Sequence, residues 1–267
     1  MRIAVAQVEV SEAVPTAESV VAAGERVRAA VREAVAGGAS VVVLPEGMLG
    51  YPSKRLLVDE WASTPFDVVR STLASVAADA GVWLVVGAPH QLSAGRRPHN
   101  SLYVFASDGS LVTRYDKRRL SVTEVTKLYT PGTAPIVFDV DGHRFGLLLC
   151  LESLFPELFV EYAELGVSTV LVASAPDEGF ATIARGIARA CHVNVAVAFS
   201  AGAARSGITS PHGWVVRAPS GAPAMIVGDV PDSLVEERAF HPAARSGELY
   251  VGRYAADDPR STDRRTL

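Results

Sequence analysis

The sequence has few cysteines, few aromatic residues and no excess of positive charge, and it contains no long apolar run. Its 267 residues include two cysteines, Cys150 and Cys191, which excludes a disulfide-rich secreted scaffold and favours free thiols in a cytosolic protein. Lys and Arg number 25 against 29 Asp and Glu, so no basic surface indicates binding to nucleic acid or to an anionic membrane. The apolar run at the start is too short for a signal peptide, and none approaches a membrane span.

What the sequence does contain is an alternation of apolar strands and amphipathic helices. Strands are predicted at 2–8, 40–44, 82–87, 167–173 and 194–200, and helices at 16–36, 65–79, 156–165 and 180–193. This strand–helix repeat is typical of α/β proteins. We expect a single domain over residues 1–267, with a charged tail at about 257–267 that is either frayed or in contact with a partner subunit.

Three further stretches carry the signals of β-hairpins. The predicted strand pairs are 101–105 with 111–114, 135–140 with 143–150, and 214–216 with 224–227. Antiparallel pairs of this kind, next to the parallel strands of the α/β repeat, predict mixed sheets.

Three chemically distinct side chains stand at the ends of predicted strands. Glu46 follows the strand at 40–44, Lys117 follows the hairpin strand at 111–114, and Cys150 ends the apolar run at 146–149. Taken singly, each is more often a solvated or packed residue than a catalytic one. Together they suit attack on an amide, because a carboxylate can accept a thiol proton and a lysine charge favours the thiolate.

The order of these residues resembles that of a known family. The motifs are Leu-Pro-Glu-Gly at 44–47, Tyr-Asp-Lys-Arg-Arg-Leu at 115–120 and Gly-Leu-Leu-Leu-Cys-Leu-Glu-Ser-Leu-Phe-Pro-Glu at 146–157. With Thr-Pro-Gly at 130–132, they make nearly the whole chain similar to the nitrilase superfamily of carbon–nitrogen hydrolases. The resemblance implies a four-layer αββα sandwich with mixed sheets and, commonly, a homodimer or higher homo-oligomer.

The resemblance also implies a catalytic role for each motif. Cys150 is expected to be the nucleophile, Glu46 the general base and Lys117 the charge that stabilises the oxyanion, together with the backbone N–H of Leu151. Neither a metal nor an organic cofactor is expected.

Other positions depart from the family pattern or rest on weaker arguments. Glu124 is the candidate for the second glutamate of the family, although it lies one residue further from Pro131 than that pattern places it. Leu151 replaces the aromatic residue common after the cysteine. The loops nearest the motifs suggest four substrate-binding residues, namely Tyr51, Asp177, Glu178 and Phe180.

The expected reaction is hydrolysis of a small carboxamide to a carboxylate and ammonia. Cleavage of an N-carbamoyl amine, hydrolysis of a nitrile and acyl transfer to another amine would use the same three residues, so they remain open. Two readings from other classes are a non-catalytic binding or regulatory member and a redox sensor based on Cys150; the missing resolving cysteine counts against the latter.

Overall fold

A computed structural model gives the fold of the chain. It describes residues 1–10, 17–49, 66–90, 92, 96–175, 178–202 and 204–231. The helices are α1 (Ala17–Ala36), α2 (Phe66–Ala80), α3 (Pro156–Glu164) and α4 (Glu178–Cys191). The strands are β1 (Arg2–Gln7), β2 (Val41–Val43), β3 (Trp83–His90), β4 (His99–Phe105), β5 (Leu111–Asp116), β6 (Val137–Val140), β7 (His143–Leu149), β8 (Thr169–Ser174), β9 (Asn194–Phe199), β10 (Gly207–Ser210), β11 (Gly213–Arg217) and β12 (Ala224–Asp229).

The described strands form two six-stranded sheets. The first sheet has the order β12-β1-β2-β3-β4-β5, and the second has the order β11-β10-β9-β8-β7-β6. Strands β1 to β3 are parallel in the first sheet, as are β7 to β9 in the second, and the outer strands add antiparallel pairs. The prediction of mixed sheets is therefore confirmed.

Alternation along β1 shows how the layers stack. Ile3 and Val5 are buried in a core shared with residues of the second sheet, whereas Ala4 and Ala6 are buried against α1 and α2. Successive strand residues point to opposite faces of a sheet, so the first sheet has an apolar core on each side. Residues of α3 and α4 complete the core on the far side of the second sheet. The result is the αββα sandwich that the resemblance implied.

The hairpin predicted from 214–216 and 224–227 is wrong. Strand β11 pairs with β10 in the second sheet, whereas β12 pairs antiparallel with β1 in the first, from Arg2 opposite Asp229 to Gln7 opposite Ala224. The turn residues between them carry the chain from one sheet to the other. A turn signal in the sequence marks a reversal, and pairing with β1 decides where the second strand lies.

The strand directions bring the ends of β2 and β5 to one edge of the first sheet. Because β4 is antiparallel to both of its neighbours, β5 runs parallel to β2 and β3, and their carboxyl ends share one edge of the first sheet. Loops that leave such an edge can converge on a common site.

Among the described helices, none is long and apolar enough to cross a membrane.

Candidate active site

Cys150 lies at a sharp turn between β7 and a short 3-10 helix over Cys150–Leu154. Its backbone φ is +50°, a left-handed value that is uncommon outside glycine and that often marks a functional site. The Glu46 carboxylate and the backbone N–H of Ala175 are next to the thiol. Burial, with the nearby Glu46 charge, raises the pKa of Cys150 to about 12 although Lys117 and the Ala175 N–H act the other way. The resting group is therefore a thiol with a carboxylate beside it.

Lys117 and Glu46 complete a buried ionic cluster around this thiol. Their exposed fractions are only 1% and 2%, and the distance from Lys117 Nζ to Glu46 Oε1 is 3.7 Å. Burial alone lowers the pKa of Lys117, but its interactions with Glu46, Cys150 and Glu124 outweigh burial and leave that pKa raised. The ammonium group is thus charged in a site that excludes most water, where charges act most strongly.

Glu124 reaches the same lysine despite its unusual distance from Pro131. Its Oε1 accepts a hydrogen bond of 2.6 Å from Lys117 Nζ, and its Oε2 accepts the N–H of Ser121 at 2.8 Å. Residues Glu124–Leu128 form a π-helical turn, closed by a bond from the N–H of Tyr129 to the carbonyl of Glu124. A π turn holds one residue more than an α turn. The additional residue between Glu124 and Pro131 is accommodated within that turn.

Two polar residues of the site were missed in the sequence. Asn100 donates from Nδ2 to Glu46 Oε1 at 2.7 Å, and its carbonyl accepts the Lys117 N–H at 2.8 Å. The side chain of Tyr129 is buried beside the cluster. Burial, followed by the interactions with Glu46, Glu124 and Cys150, raises the Tyr129 pKa well above its usual range. Its position directly before Thr-Pro-Gly was the one available signal.

Two glycines allow the catalytic loops to pass close to neighbouring backbone. A Cβ at Gly87 would lie 3.1 to 3.2 Å from atoms of Pro45, Glu46 and Gly47. A Cβ at Gly132 would lie 2.1 Å from the carbonyl oxygen of Asp116. The distance at Gly132 is shorter than side chains tolerate, and those at Gly87 are tighter than most Cβ contacts, so the absence of a side chain favours the close approach of the Lys117 and Glu46 segments.

The remaining predicted residues have different outcomes. Leu151 follows Cys150 in the 3-10 helix, and its N–H stays the predicted oxyanion donor. Tyr51 and Asp177 lie outside the described residues, as does the side chain of Glu178. The ring of Phe180 is fully buried and packs edge-on against Phe199, which is a core position.

Among the described residues, no group of three or more His, Cys, Asp and Glu side chains is arranged to hold a metal ion. Both cysteines are free thiols, and Cys191 is buried in the core.

Comparisons with known proteins point in the same direction as this geometry. The family model described as carbon-nitrogen hydrolase matches residues 2–240. The chain is 29% identical to the omega-amidase of Homo sapiens over 153 residues, which cover 54% of this chain and 55% of that protein. It is 31% identical to a glutamine-dependent NAD(+) synthetase of Acinetobacter baylyi over 147 residues, or 54% of this chain and 26% of the synthetase. The matches thus span about half of the first relative and about a quarter of the second.

The fold is also that of a solved amidase. A cysteine-to-alanine mutant of the Nesterenkonia AN1 amidase, from the nitrilase superfamily, superposes with a TM-score of 0.75 at 23% identity, covering 89% of this chain and 93% of that one. Another structure of that amidase, with the same TM-score and identity, is a complex with butyramide.

Proposed function

The chain belongs to the carbon–nitrogen hydrolase family, within the nitrilase superfamily, and we propose that it hydrolyses a small carboxamide to a carboxylate and ammonia through a thioester on Cys150. The observation that carries this proposal is the meeting of a thiol, a carboxylate and an ammonium group in one buried cluster. These are a nucleophile, a base that can activate it and a charge that can stabilise an oxyanion.

In the first half of the proposed reaction the thiol becomes acylated. Glu46 accepts the Cys150 proton as Sγ attacks the amide carbon, so the raised pKa of the thiol is no obstacle. The carbonyl oxygen becomes an oxyanion, which the Lys117 ammonium and the Leu151 N–H stabilise. The C–N bond then breaks, and the amine leaves as ammonia with the proton that Glu46 had taken.

In the second half a water molecule hydrolyses the thioester. Glu46, again a carboxylate, accepts a proton from the water as its oxygen attacks the acyl carbon. The C–S bond breaks, the proton returns to Sγ, and a carboxylic acid leaves, which ionises in solution. Asn100 and Glu124 serve in this account to hold the Glu46 carboxylate and the Lys117 ammonium in place. No metal or organic cofactor takes part.

The class of substrate that we propose is a primary carboxamide. One relative is described as an omega-amidase and another as a glutamine-dependent NAD(+) synthetase. The structurally similar amidase was solved in complex with butyramide. Glutamine and butyramide share a primary amide at the end of a short chain. Both therefore belong among the first compounds to assay.

The proposal is tested by measuring ammonia release from a panel of carboxamides, N-carbamoyl amines and nitriles. Cys150→Ala serves as the blank, and Cys191→Ala is the matched control because it removes the other thiol. We expect release from at least one amide with wild type and with Cys191→Ala, and none with Cys150→Ala. Equal release from all three proteins would refute the proposal. Reaction of only the carbamoyl compounds or the nitriles would replace the amide with those substrates.

We also propose that the protein is a cytosolic homodimer. The homodimer is supported by three apolar residues in or beside the α3–α4 layer that are each about 40% exposed, namely Leu154, Leu165 and Ile183. The cytosol is supported by the two free thiols. Light scattering on the purified protein should give twice the monomer mass of 28.2 kDa. The monomer mass would contradict this.

A further inference from the structure

Glu152 connects the two segments that carry Lys117 and Cys150. Its side chain is 0% exposed and lies in the 3-10 helix that follows β7. Its Oε2 accepts the N–H of Leu149 at 2.9 Å, so the carboxylate folds back onto the end of the strand that delivers Cys150. This bond spans the residue with the left-handed backbone and ties both sides of the turn together.

The other oxygen of the same carboxylate holds the lysine segment. Glu152 Oε1 accepts the Tyr115 hydroxyl at 2.7 Å, the Arg118 N–H at 2.7 Å and the Arg119 N–H at 3.0 Å. One donor precedes Lys117 in the chain and two follow it. The segment is therefore fixed on both sides of the lysine by one buried group of the nucleophile turn.

A second layer supports this contact from the outside. The Arg118 guanidinium makes two hydrogen bonds to Glu161 of α3, at 3.2 and 2.7 Å, and its Nε lies 3.4 Å from the Tyr115 oxygen. Burial raises the pKa of Glu152, and the surrounding N–H and O–H donors oppose that rise. Every contact to the carboxylate comes from a donor, which suits a charged acceptor and not an amide.

We propose that Glu152 is a positioning residue that sets the distance between the Lys117 ammonium and the Cys150 sulfur. It does not touch the reacting atoms, and its effect is exerted through the two segments that it joins. A shift of about 1 Å in a catalytic group lowers the rate on the order of a hundredfold, so loosening this contact should reduce turnover and leave substrate binding nearly unchanged. The inference rests on the proposed function for its kinetic part only.

The direct variant is Glu152→Gln, which keeps the shape but turns an N–H₂ group toward N–H and O–H donors. We expect its kcat to fall on the order of a hundredfold with KM within about threefold. Because a buried donor facing donors can also unfold the protein, a milder pair of variants is needed.

Tyr115→Phe and Tyr162→Phe form that pair. Both phenols are 0% exposed, and the Tyr162 hydroxyl donates to the Leu147 carbonyl at 2.7 Å and accepts the Ile136 N–H at 3.4 Å, both outside the lysine segment. Each substitution removes one buried hydroxyl and two hydrogen bonds, those of Tyr115 to Glu152 and Arg118 and those of Tyr162 to Leu147 and Ile136. We expect Tyr115→Phe to lower kcat about tenfold at unchanged KM, and Tyr162→Phe to change neither by more than about twofold.

A second readout is independent of turnover. Alkylation of Cys150 by iodoacetamide, followed by mass spectrometry of its peptide, reports the thiolate fraction at a given pH. Because the Lys117 charge lowers the pKa of Cys150, moving it away raises that pKa and slows alkylation. At pH 9 we expect Tyr115→Phe to react several-fold more slowly than wild type and Tyr162→Phe to match it.

The outcomes separate this inference from the proposed function. Equal effects of the two variants on kcat and alkylation, with both proteins folded by circular dichroism, would reduce Glu152 to a structural role. A wild-type protein that releases no ammonia would overturn the amidase proposal alone. The alkylation pair would still decide the role of Glu152.

Discussion

The substitution Glu46→Gln tests the role of the carboxylate beside the thiol. The amide side chain is nearly isosteric, and its oxygen can still accept the 2.7 Å hydrogen bond from Asn100. What it cannot do is take the proton of Cys150. With a thiol pKa of about 12, the thiolate is only about one part in 10⁴ to 10⁵ near pH 7.5, so wild type depends on the base for its nucleophile.

The size and pH dependence of the loss follow from that pKa. Loss of the Glu46 charge lowers the thiol pKa in the variant and so raises its thiolate fraction. The thiolate fraction of the wild type therefore sets an upper limit on the loss of rate. We expect kcat/KM to fall by a factor on the order of 10² to 10⁴. The remaining activity should rise about tenfold per pH unit above neutrality until the thiol is titrated, because hydroxide must now remove the proton. Wild type should be nearly flat over the same range.

The assay is ammonia release at fixed amide concentration between pH 6.5 and 9.5, with circular dichroism at each pH to exclude unfolding. An E46Q profile as flat as that of wild type, or an undiminished rate, would refute the assignment of Glu46 as base.

Two other substitutions probe the surroundings of the thiol, and a pair of glycine substitutions probes a close backbone approach. Lys117→Ala removes the oxyanion charge and should lower kcat by about two to three decades, measured as ammonia release; a loss below tenfold would contradict its role. Asn100→Ala should lower kcat about tenfold because Glu46 loses a charged hydrogen bond, and full activity would show that this bond is dispensable. Gly132→Ala should lower the midpoint of urea unfolding, because its Cβ meets the Asp116 carbonyl. Gly186→Ala in α4, with open space around it, should instead stabilise by about 0.5 to 1 kcal/mol, and equal shifts in the two variants would refute the steric argument.

The main elements and the three strand-end residues could be predicted because their signals are local. A run of buried strand residues before Glu46 or Cys150 is visible in the sequence, and strand ends are where side chains converge in α/β folds. The helix predicted at 16–36 is found at Ala17–Ala36 for the same reason, since its apolar spacing and the two glycines after it are contained in one segment.

The errors and omissions come from contacts between distant segments. The late hairpin failed because β12 pairs with β1, more than 200 residues away, and no local pattern encodes that choice. In the sequence Asn100 resembles an ordinary strand residue. Its role depends on Glu46 and Lys117, and only the fold brings these two residues next to it. The position of Glu124 could be judged only once the π turn was known, because a π turn holds one residue more than an α turn and so changes the spacing between Glu124 and Pro131.

The most direct test of catalysis through a Cys150 thioester is capture of the acyl-enzyme. Wild type, Cys191→Ala and Cys150→Ala are mixed with excess butyramide, quenched in acid within the first turnovers, and digested for mass spectrometry. We predict a butyryl group on the Cys150 peptide of the first two proteins, removed by hydroxylamine and accompanied by ammonia release, and neither product with Cys150→Ala. Ammonia release that persists in Cys150→Ala would contradict a Cys150 thioester. Rapid turnover by wild type with no hydroxylamine-sensitive acyl group on the Cys150 peptide would contradict it as well.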